Sequence, residues 1–381
     1  MTPAYETRNR FFDQLCGNRK LRWMGQNTNH FDPHPAVLAA VDRSINDGEY
    51  HIYAPPLGLE RLRELILADI GLPDASTMVT NGAVEGLFNV CTNFNVRGKD
   101  FITTDPSWSW PMNFSRKAGA NVIQLPAYNS DTGYGLSIKQ LQEAVTENTQ
   151  MIYIVDPNNP LGTCHGEKEI QQIAELARSV GAYLVHDSTY SHFADDYVPA
   201  YRYYPEKTIL TYSFSKWLGL AGMRLGAVIA APDIIERLSA SPPNNLGCNI
   251  VAQRAAIAGL ETKAEWFPTV KQRLRRNQQH VHDAVALIPG LRVPVYPSQA
   301  NFLIIETAGA GVSPEALVAA YSEHDIMIRQ GVYHTKTFGD QFVKVSLTVP
   351  EEWVDEFCEL LPDMVERAKS LQLDDLSAQL F

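Results

Sequence analysis

The sequence predicts an α/β protein with a large domain, in which helices flank a mostly parallel sheet, and a smaller α+β domain. Short strand-like segments alternate with longer helical patterns through the middle of the chain, which is typical of parallel sheets covered by helices. Several of these segments are continuous apolar runs, as expected for strands buried on both faces. In the last third of the chain, strand-like runs with flanking helices indicate the second domain.

The strands of the large domain are predicted from runs rich in β-branched, aromatic and aliphatic residues. These runs lie at 100–103, 121–125, 151–156, 183–187, 208–213 and 225–230. Residues 167–180 place Ile170, Ile173 and Ala177 on one helical face, and Gly181 follows as a stop signal. This strand–helix–strand order predicts a parallel sheet.

The smaller domain is predicted from the C-terminal part. A long polar helix covers 263–286 and ends before Pro289 and Gly290. Strands are predicted at 292–296, 301–306 and 342–347, and helices at 314–324 and 351–371. We predict a large domain over residues 46–275, and a small domain formed by residues 1–45 and 276–381.

Composition and charge exclude several classes of protein. The 381 residues include 32 Lys and Arg against 43 Asp and Glu, a formal net charge of −11. This balance argues against a nucleic-acid partner, because binding the phosphate backbone needs clustered cations. With 45% hydrophobic residues the chain has enough apolar surface to fold.

Cysteine usage and apolar patterning favour a cytoplasmic protein. The five cysteines are scattered and include no C-x-x-C pair, so we expect neither disulfides nor a zinc site. No His, Cys and Asp set has the spacing of a metal site. The N-terminus lacks the pattern of a secretory signal, and no apolar run reaches the ~20 residues that span a membrane.

The most informative segment is SFSKWLGLAGMRLG, residues 213–226. Lys216 follows a small-residue turn after an apolar strand, and Arg224 stands between Gly222 and Gly226. A lysine so placed could form an imine with an aldehyde cofactor. The serines and Arg224 could hold the cofactor's phosphate. The alternative is an exposed lysine in a glycine-rich loop.

This segment resembles the lysine region of fold-type I pyridoxal-phosphate (PLP) enzymes. More narrowly, it is similar to that of the class I/II aminotransferases, among them histidinol-phosphate aminotransferase. Matching motifs run from about His51 to Ser346 in the family's order. The resemblance implies a fold-type I transferase in which Lys216 holds PLP as an aldimine and an amino group passes from an amino acid to a 2-oxo acid.

Two further strand ends match cofactor contacts of that family. Asp187 matches the aspartate that pairs with the pyridine nitrogen, where a carboxylate keeps the ring protonated and able to accept electrons. Tyr190 and Asn159 match residues that hydrogen-bond the ring's phenolic oxygen. The alternatives are a helix N-cap for Asp187 and a plain turn for the DPNNPLG segment around Asn159.

The segment NGAV, residues 81–84, opens a helix predicted over 84–94. Free amide groups and the positive end of the helix dipole suit an anion there. In the family, residues after this glycine donate to the PLP phosphate. The resemblance therefore implies a phosphate site made of Gly82, Ala83, Val84, Ser213, Ser215 and Arg224.

Two aromatic residues complete the implied cofactor site. Trp108, after the strand at 100–103, matches the aromatic residue that stacks on the pyridine ring, although Trp110 is a nearby competitor. Tyr53 matches a tyrosine that reaches the phosphate of the neighbouring subunit. The resemblance thus implies a homodimer with shared active sites.

The substrate side departs from the family. Where the family has an arginine in a motif like L-R-I-S, this sequence has VKVS with Lys344, which keeps the charge and loses the planar fork. Either Lys344 binds a carboxylate more weakly, or the register differs, or the substrate is oriented otherwise. Arg329 matches a second basic position, with a surface arginine as the alternative. Asn27, in QNTNH, occupies the place of the family's substrate segment.

The histidines are weaker candidates. His30, His34 and His51 lie near this N-terminal segment and could reach the site, although a structural role is commoner for an isolated histidine. His280 and His282 lie on a polar helix and are expected to be solvated.

Aminotransfer is the first functional hypothesis. The alternative within the same cofactor class is a lyase or cyclase that eliminates at Cβ or Cγ and closes a ring, similar to capreomycidine synthase, or a decarboxylase. Lys344 and the unusual N-terminal segment keep these open. A DNA-binding regulator is disfavoured, because only ~50 residues precede Tyr53 and the chain is acidic.

Overall fold

The computed structural model describes residues 4–240, 242 and 245–371. Its helices are α1 (Ala4–Gly17), α2 (Pro35–Asn46), α3 (Glu60–Ile70), α4 (Ala83–Phe94), α5 (Trp110–Lys117), α6 (Ile138–Ala144), α7 (Glu167–Ser179), α8 (Pro232–Ser239), α9 (Ile250–Glu261), α10 (Lys263–Ala286), α11 (Pro314–Ser322) and α12 (Glu351–Ser370). Its strands are β1 (Arg22–Trp23), β2 (Ser76–Thr80), β3 (Asp100–Asp105), β4 (Asn121–Pro126), β5 (Thr149–Val155), β6 (Tyr183–Asp187), β7 (Thr208–Ser213), β8 (Gly226–Ala230), β9 (Phe302–Glu306), β10 (Ile326–Met327), β11 (Arg329–Gln330) and β12 (Phe342–Ser346).

A seven-stranded sheet with the order β2-β8-β7-β6-β5-β3-β4 forms the large part of the molecule. Strands β4, β3, β5, β6 and β7 run parallel, and β8 is antiparallel to both of its neighbours. Every residue of β7 and β8 is buried, because helices cover both faces of the sheet. The predicted α/β class with a mostly parallel sheet is therefore confirmed.

The C-terminal part contains a three-stranded antiparallel sheet, β11-β12-β9. Helices α10, α11 and α12 pack beside it, and β1 pairs in parallel with β10. Helix α2 lies almost wholly in the N-terminal segment predicted for the small domain, yet it packs against α9. The N-terminal segment thus contacts both parts of the molecule, and the boundaries at residues 46 and 275 stay a prediction.

Most predicted elements have the expected type and nearly the expected ends. The strands at 183–187 and 208–213 and the helix at 263–286 coincide with β6, β7 and α10. The strand predicted at 292–296 is wrong, because only Arg292 forms an isolated bridge, to Glu306. Pro294 has no N–H group to continue the ladder.

The parallel strands determine where a site can form. Their carboxyl ends meet at one edge of the sheet, where connecting loops supply side chains without disturbing the core. The described cysteines form no disulfides. No helix in the described part of the chain is both long and apolar enough to cross a lipid bilayer.

Candidate active site

A cleft of about 570 Å³ opens at the carboxyl ends of β3, β5, β6 and β7. It continues past the start of α4 to the small antiparallel sheet. The sequence-predicted residues that line it are Asn27, Ala83, Val84, Trp108, Asn159, Asp187, Tyr190, Ser213, Ser215, Lys216, Arg224, Arg329 and Lys344. Residues scattered over more than three hundred positions are therefore brought into one cavity.

Lys216 lies at the turn after β7, and its side chain is partly buried rather than exposed. Its Nζ donates to the backbone carbonyl of Gln26 at 2.9 Å. Burial, with further effects of Arg224 and Arg329, lowers the pKa of Lys216 to about 8. A substantial fraction of this amine is therefore neutral, and nucleophilic, near neutral pH.

Asp187 is the buried carboxylate at the end of β6. Its Oδ1 accepts from the hydroxyls of Thr189 at 2.6 Å and Thr211 at 3.0 Å. Its Oδ2 accepts from the hydroxyl of Tyr153 at 3.0 Å, and burial together with this carboxylate raises the pKa of Tyr153. These neutral donors fix the direction of the carboxylate without neutralising it.

Tyr190 is held over the cleft by the N-terminal segment. Nδ2 of Asn27 donates to the Tyr190 hydroxyl at 2.9 Å. The backbone N–H of Asn27 donates to Oγ of Ser346 at 2.7 Å, which ties the segment to β12. Burial raises the pKa of Tyr190, so its hydroxyl stays protonated and can donate to an oxygen in the cleft.

An anion-binding arrangement surrounds the start of α4. The first amides of a helix have no carbonyl partner within it. Gly226 on β8 approaches so closely that a Cβ there would collide with the backbone nitrogen of Ala83 and lie 2.7 Å from the carbonyl carbon of Gly82. At Gly82, with φ of 78°, a Cβ would collide with the guanidinium of Arg224. The bare backbone therefore lets Arg224 reach the helix start.

Arg224 also adopts an unusual backbone conformation, with φ of 54°. Four described non-glycine residues have a positive φ, and Asn27, with φ of 56°, is the other one of these that lines the cleft. Such conformations cost free energy and concentrate at functional sites. In addition, Ser213 and Ser215 present buried hydroxyls beside Lys216, so the donor set at this end suits a phosphate.

Lys344 and Arg329 lie opposite each other on β12 and β11. Both are buried, with 3% and 5% of their surfaces exposed. Nζ of Lys344 is 3.4 Å from Oδ1 of Asn159 and 5.1 Å from the centroid of Phe302. Burial first, and then Arg329 and Lys216, hold the pKa of Lys344 well below its usual range. This end of the cleft therefore favours a bound anion.

Two tryptophans border the cleft on the β3 side. Trp108 is half-buried, whereas Trp110 is 40% exposed at the first position of α5. Both line the cleft. Trp108, as the more buried of the two, offers the better-fixed flat face to the cleft.

Some sequence-predicted candidates lie elsewhere. Tyr53 is 78% exposed and does not line the cleft of its own chain. None of the three N-terminal histidine candidates lines the cleft either: His30 contacts Trp353, His34 caps α2 and His51 is exposed. In the described residues, no three His, Cys, Asp or Glu side chains are grouped to hold a metal.

Several cleft residues were not predicted. They come from the N-terminal helix, the N-terminal segment, the turn after β6 and the loop between β11 and β12. They are Phe12, Gln26, Thr28, Thr189, Tyr333 and His334. No local pattern distinguishes them, because tertiary packing alone brings them to the cavity.

Comparison with known proteins agrees with this geometry. The chain is 26% identical to an aspartate aminotransferase of Pyrococcus horikoshii over 89% of each chain. It is 26% identical to a histidinol-phosphate aminotransferase of Pyrococcus furiosus over 93% of this chain and 95% of that one. The fold is that of N-succinyldiaminopimelate aminotransferase from Mycobacterium tuberculosis, with a TM-score of 0.83 at 22% identity over 93% and 97% of the two chains. The model of aminotransferase class I and II matches residues 19–361, and the chain therefore belongs to that family.

Proposed function

We propose that the protein is a PLP-dependent aminotransferase that moves an amino group from an amino acid to a 2-oxo acid. One observation carries the proposal. A partly buried lysine with a lowered pKa lines the same cleft as a buried carboxylate and a cluster of anion donors. Lys216 and Asp187 match the two chemical needs of an aldehyde cofactor with a pyridine ring.

The residues present fit PLP. Arg224, the two serine hydroxyls and the first amides of α4 would hold its phosphate, in the bare-backbone cradle at Gly82 and Gly226. Asp187 would pair with the ring nitrogen, while Tyr190 and Asn159 would donate to the ring's phenolic oxygen. Trp108 would cover one ring face. When bound, PLP supplies an electron sink for the charge that develops at the substrate Cα.

The chain's own groups then perform the proton transfers. Lys216, as a neutral amine, would take the proton from the substrate Cα and would deliver it to the carbon of the cofactor that carried the aldehyde. Its pKa near 8 keeps both protonation states accessible at neutral pH. Asp187, oriented by Thr189, Thr211 and Tyr153, would keep the ring nitrogen protonated. Tyr190 would hold its hydroxyl proton toward the phenolic oxygen.

Lys344 and Arg329 would bind the substrate's carboxylate. Their close placement on adjacent strands concentrates positive charge at the end of the cleft beyond Asn159. A bound carboxylate would restore the pKa of Lys344 toward its usual range, because it offsets the repulsion from Arg329. Asn27 would lie beside this subsite, held in place by its hydrogen bond to the Tyr190 hydroxyl.

A homodimer with shared active sites is part of the proposal. Tyr53 is largely exposed and lies among other exposed apolar residues, which suits a surface covered by a second copy. In this arrangement, Tyr53 would complete the phosphate site of the partner subunit. The cytoplasmic location stays a prediction.

A second candidate function is elimination with ring closure, or decarboxylation, of an amino acid. The observation that favours it is Lys344, a buried amine whose lowered pKa lets it accept a proton beside the substrate. An arginine at the same position could not act as a base.

A single-turnover experiment separates these functions. The PLP-loaded enzyme is mixed with each amino acid without a 2-oxo acid, and products are identified by mass spectrometry. Aminotransfer yields pyridoxamine phosphate and a 2-oxo acid in equal amounts, and Lys216→Ala abolishes both. Cyclised or decarboxylated products with unchanged PLP would overturn aminotransfer in favour of the second candidate.

A further inference from the structure

His334 is a buried histidine on the wall of the cleft, and its imidazole ring makes no hydrogen bond. Only 5% of its surface is exposed, and neither ring nitrogen has a partner in the structure. Among the described side chains that line the cleft, it alone has buried polar atoms without partners. Leaving a buried donor or acceptor without a partner costs free energy, and a ligand that hydrogen-bonds to the ring recovers it.

The backbone around His334 holds the ring at this place. Residues 331–333 form a short 3₁₀ turn, and the His334 N–H donates to the carbonyl of Gly331 at 2.9 Å. A Cβ at Gly331 would collide with the carbonyl oxygen of Gly339 and lie 2.7 Å from that of Phe342. The loop is therefore packed tightly on itself, and the imidazole is not free to swing into solvent.

The surroundings of His334 keep its ring neutral. Burial first, and then Lys344 and Arg329, hold the pKa of His334 well below its ordinary value. Tyr333 packs edge-on at 5.1 Å between ring centroids. A neutral imidazole offers one N–H donor and one acceptor nitrogen, which suits a hydroxyl or a carboxamide.

The other polar groups of the bound molecules already have partners in the proposed site. The cofactor's phosphate, ring nitrogen and phenolic oxygen face Arg224, Asp187 and Tyr190, and the substrate carboxylate faces Lys344. His334 lines the same cleft as these residues, so the polar group still without an assigned partner would be one on the substrate side chain. We infer that His334 hydrogen-bonds a polar group on that side chain and so selects amino acids with a hydroxyl or carboxamide over hydrocarbon ones. This inference rests on the proposed function and names its substrate class.

The test compares isosteric amino acids in the half-reaction. Asparagine with leucine, and homoserine with norvaline, differ in hydrogen-bonding capacity and little in shape. Second-order rate constants for loss of the enzyme's PLP absorption are measured for each. We expect the polar member of at least one pair to react at least about tenfold faster, because a site built around a hydrogen bond rejects the analogue that lacks it.

Two variants assign the preference to His334. His334→Leu is expected to bring the ratio within about twofold of one by raising the rate of the hydrocarbon member. His334→Gln retains a donor and an acceptor and is expected to keep part of the preference. Thermal midpoints check folding, and replacing an unpaired polar group by an apolar one is expected to leave them unchanged or higher.

The outcomes are separable from those of the proposed function. Equal rates within both pairs in the unmodified enzyme, or a ratio that survives in His334→Leu, would overturn the inference and leave aminotransfer standing. If no amino acid converts the cofactor, aminotransfer fails. In that case the dissociation constants of the same amino acids are measured from shifts in PLP absorption. The ratio between the polar and the hydrocarbon member of each pair then decides the inference in the same way as the ratio of rates.

Discussion

In the proposed reaction, Lys216 must be neutral to attack an aldehyde and must later carry a proton. Burial and the positive charges of Arg224 and Arg329 reconcile these two needs by lowering its pKa to about 8. The neutral fraction rises with pH below this value and levels off above it. A lysine with an ordinary pKa would be neutral in only about one molecule in 2,500 at pH 7.

The first prediction follows from this pKa. The rate constant for uptake of PLP by the cofactor-free protein should rise about tenfold per pH unit below pH 8 and reach a plateau above it. Stopped-flow absorbance between pH 6 and 10, at constant ionic strength and corrected for titration of free PLP, measures this profile. A rate that keeps rising to pH 10 would show that the pKa is not lowered.

Lys344 is expected to lower the stability of the protein while it contributes to substrate binding. It is buried among cations, and desolvation and the repulsion from Arg329 disfavour its charged form. For Lys344→Met we expect the thermal midpoint of the cofactor-free protein to be unchanged or higher by about 2 °C. The KM for the amino donor should rise about tenfold or more, because the proposed carboxylate subsite loses one of its two basic side chains.

Lys344→Arg is the matched variant. It restores a planar fork for the carboxylate, so KM should stay the same or fall. Calorimetry and steady-state kinetics with the same donor measure both quantities. An unchanged KM in Lys344→Met would mean that the carboxylate binds elsewhere.

At the scale of elements, the site depends on how closely β8 approaches the start of α4. Gly226 pairs with both Thr80 and Ser213 in the sheet, and its bare Cα lies against the backbone of Ala83. For Gly226→Ala we expect at least about tenfold weaker PLP binding, since the added methyl group pushes α4 away from Arg224. Overpacking should also destabilise the protein by about 1–3 kcal/mol.

Gly166→Ala is the control for this prediction. Gly166 also precedes a helix, α7, but a Cβ there has open space except for the end of Glu169 at 3.8 Å. Equilibrium titration should give this variant the PLP affinity of the unmodified protein, and urea unfolding should give it the same free energy of unfolding. Equal PLP affinity in the Gly226 and Gly166 variants would contradict the role given to the β8–α4 approach.

Sequence patterns predicted the elements best where burial is complete. The strand at 183–187 begins with three apolar residues and ends at Asp187, and both of its bounds are correct. The end of the cleft around Lys216 and Asp187 was predictable for this reason, since such strand ends meet at one sheet edge. Residues 292–296 alternate less clearly and contain Pro294, and only one bridge forms.

The substrate end was less predictable, for a physical reason. His334 and Tyr333 lie in an irregular loop with no periodicity, and their position depends on the close packing of Gly331 against Gly339. The sequence identified Arg329 as a basic residue. Its burial, however, depends on contacts with a segment about three hundred residues away, such as the hydrogen bond from its Nε to the carbonyl of Gly25. Local patterns do not encode such contacts.

At the scale of the whole molecule, the single chain leaves Tyr53 exposed near other apolar side chains. Those with the largest exposure in this segment are Leu38, Ile45, Tyr50 and Ile52. A surface of this kind is disfavoured in water and favoured at a symmetric contact. If two copies share sites, Tyr53 and Lys216 of one functional site come from different subunits.

Mixing two inactive variants tests this arrangement. Tyr53→Ala and Lys216→Ala each damage both sites of their own homodimer. Each subunit of a hybrid dimer carries one of the two substitutions. One of its two sites therefore has both residues altered, whereas the other has Lys216 from one subunit and Tyr53 from the other, both intact. Random exchange in an equal mixture should therefore restore about a quarter of the sites. Activity and PLP retention after denaturation and refolding of the mixture measure this, and sedimentation confirms the dimer. Activity no higher than the mean of the separately refolded variants would mean that Tyr53 does not act across subunits, because exchange alone cannot restore a site whose residues all come from one chain.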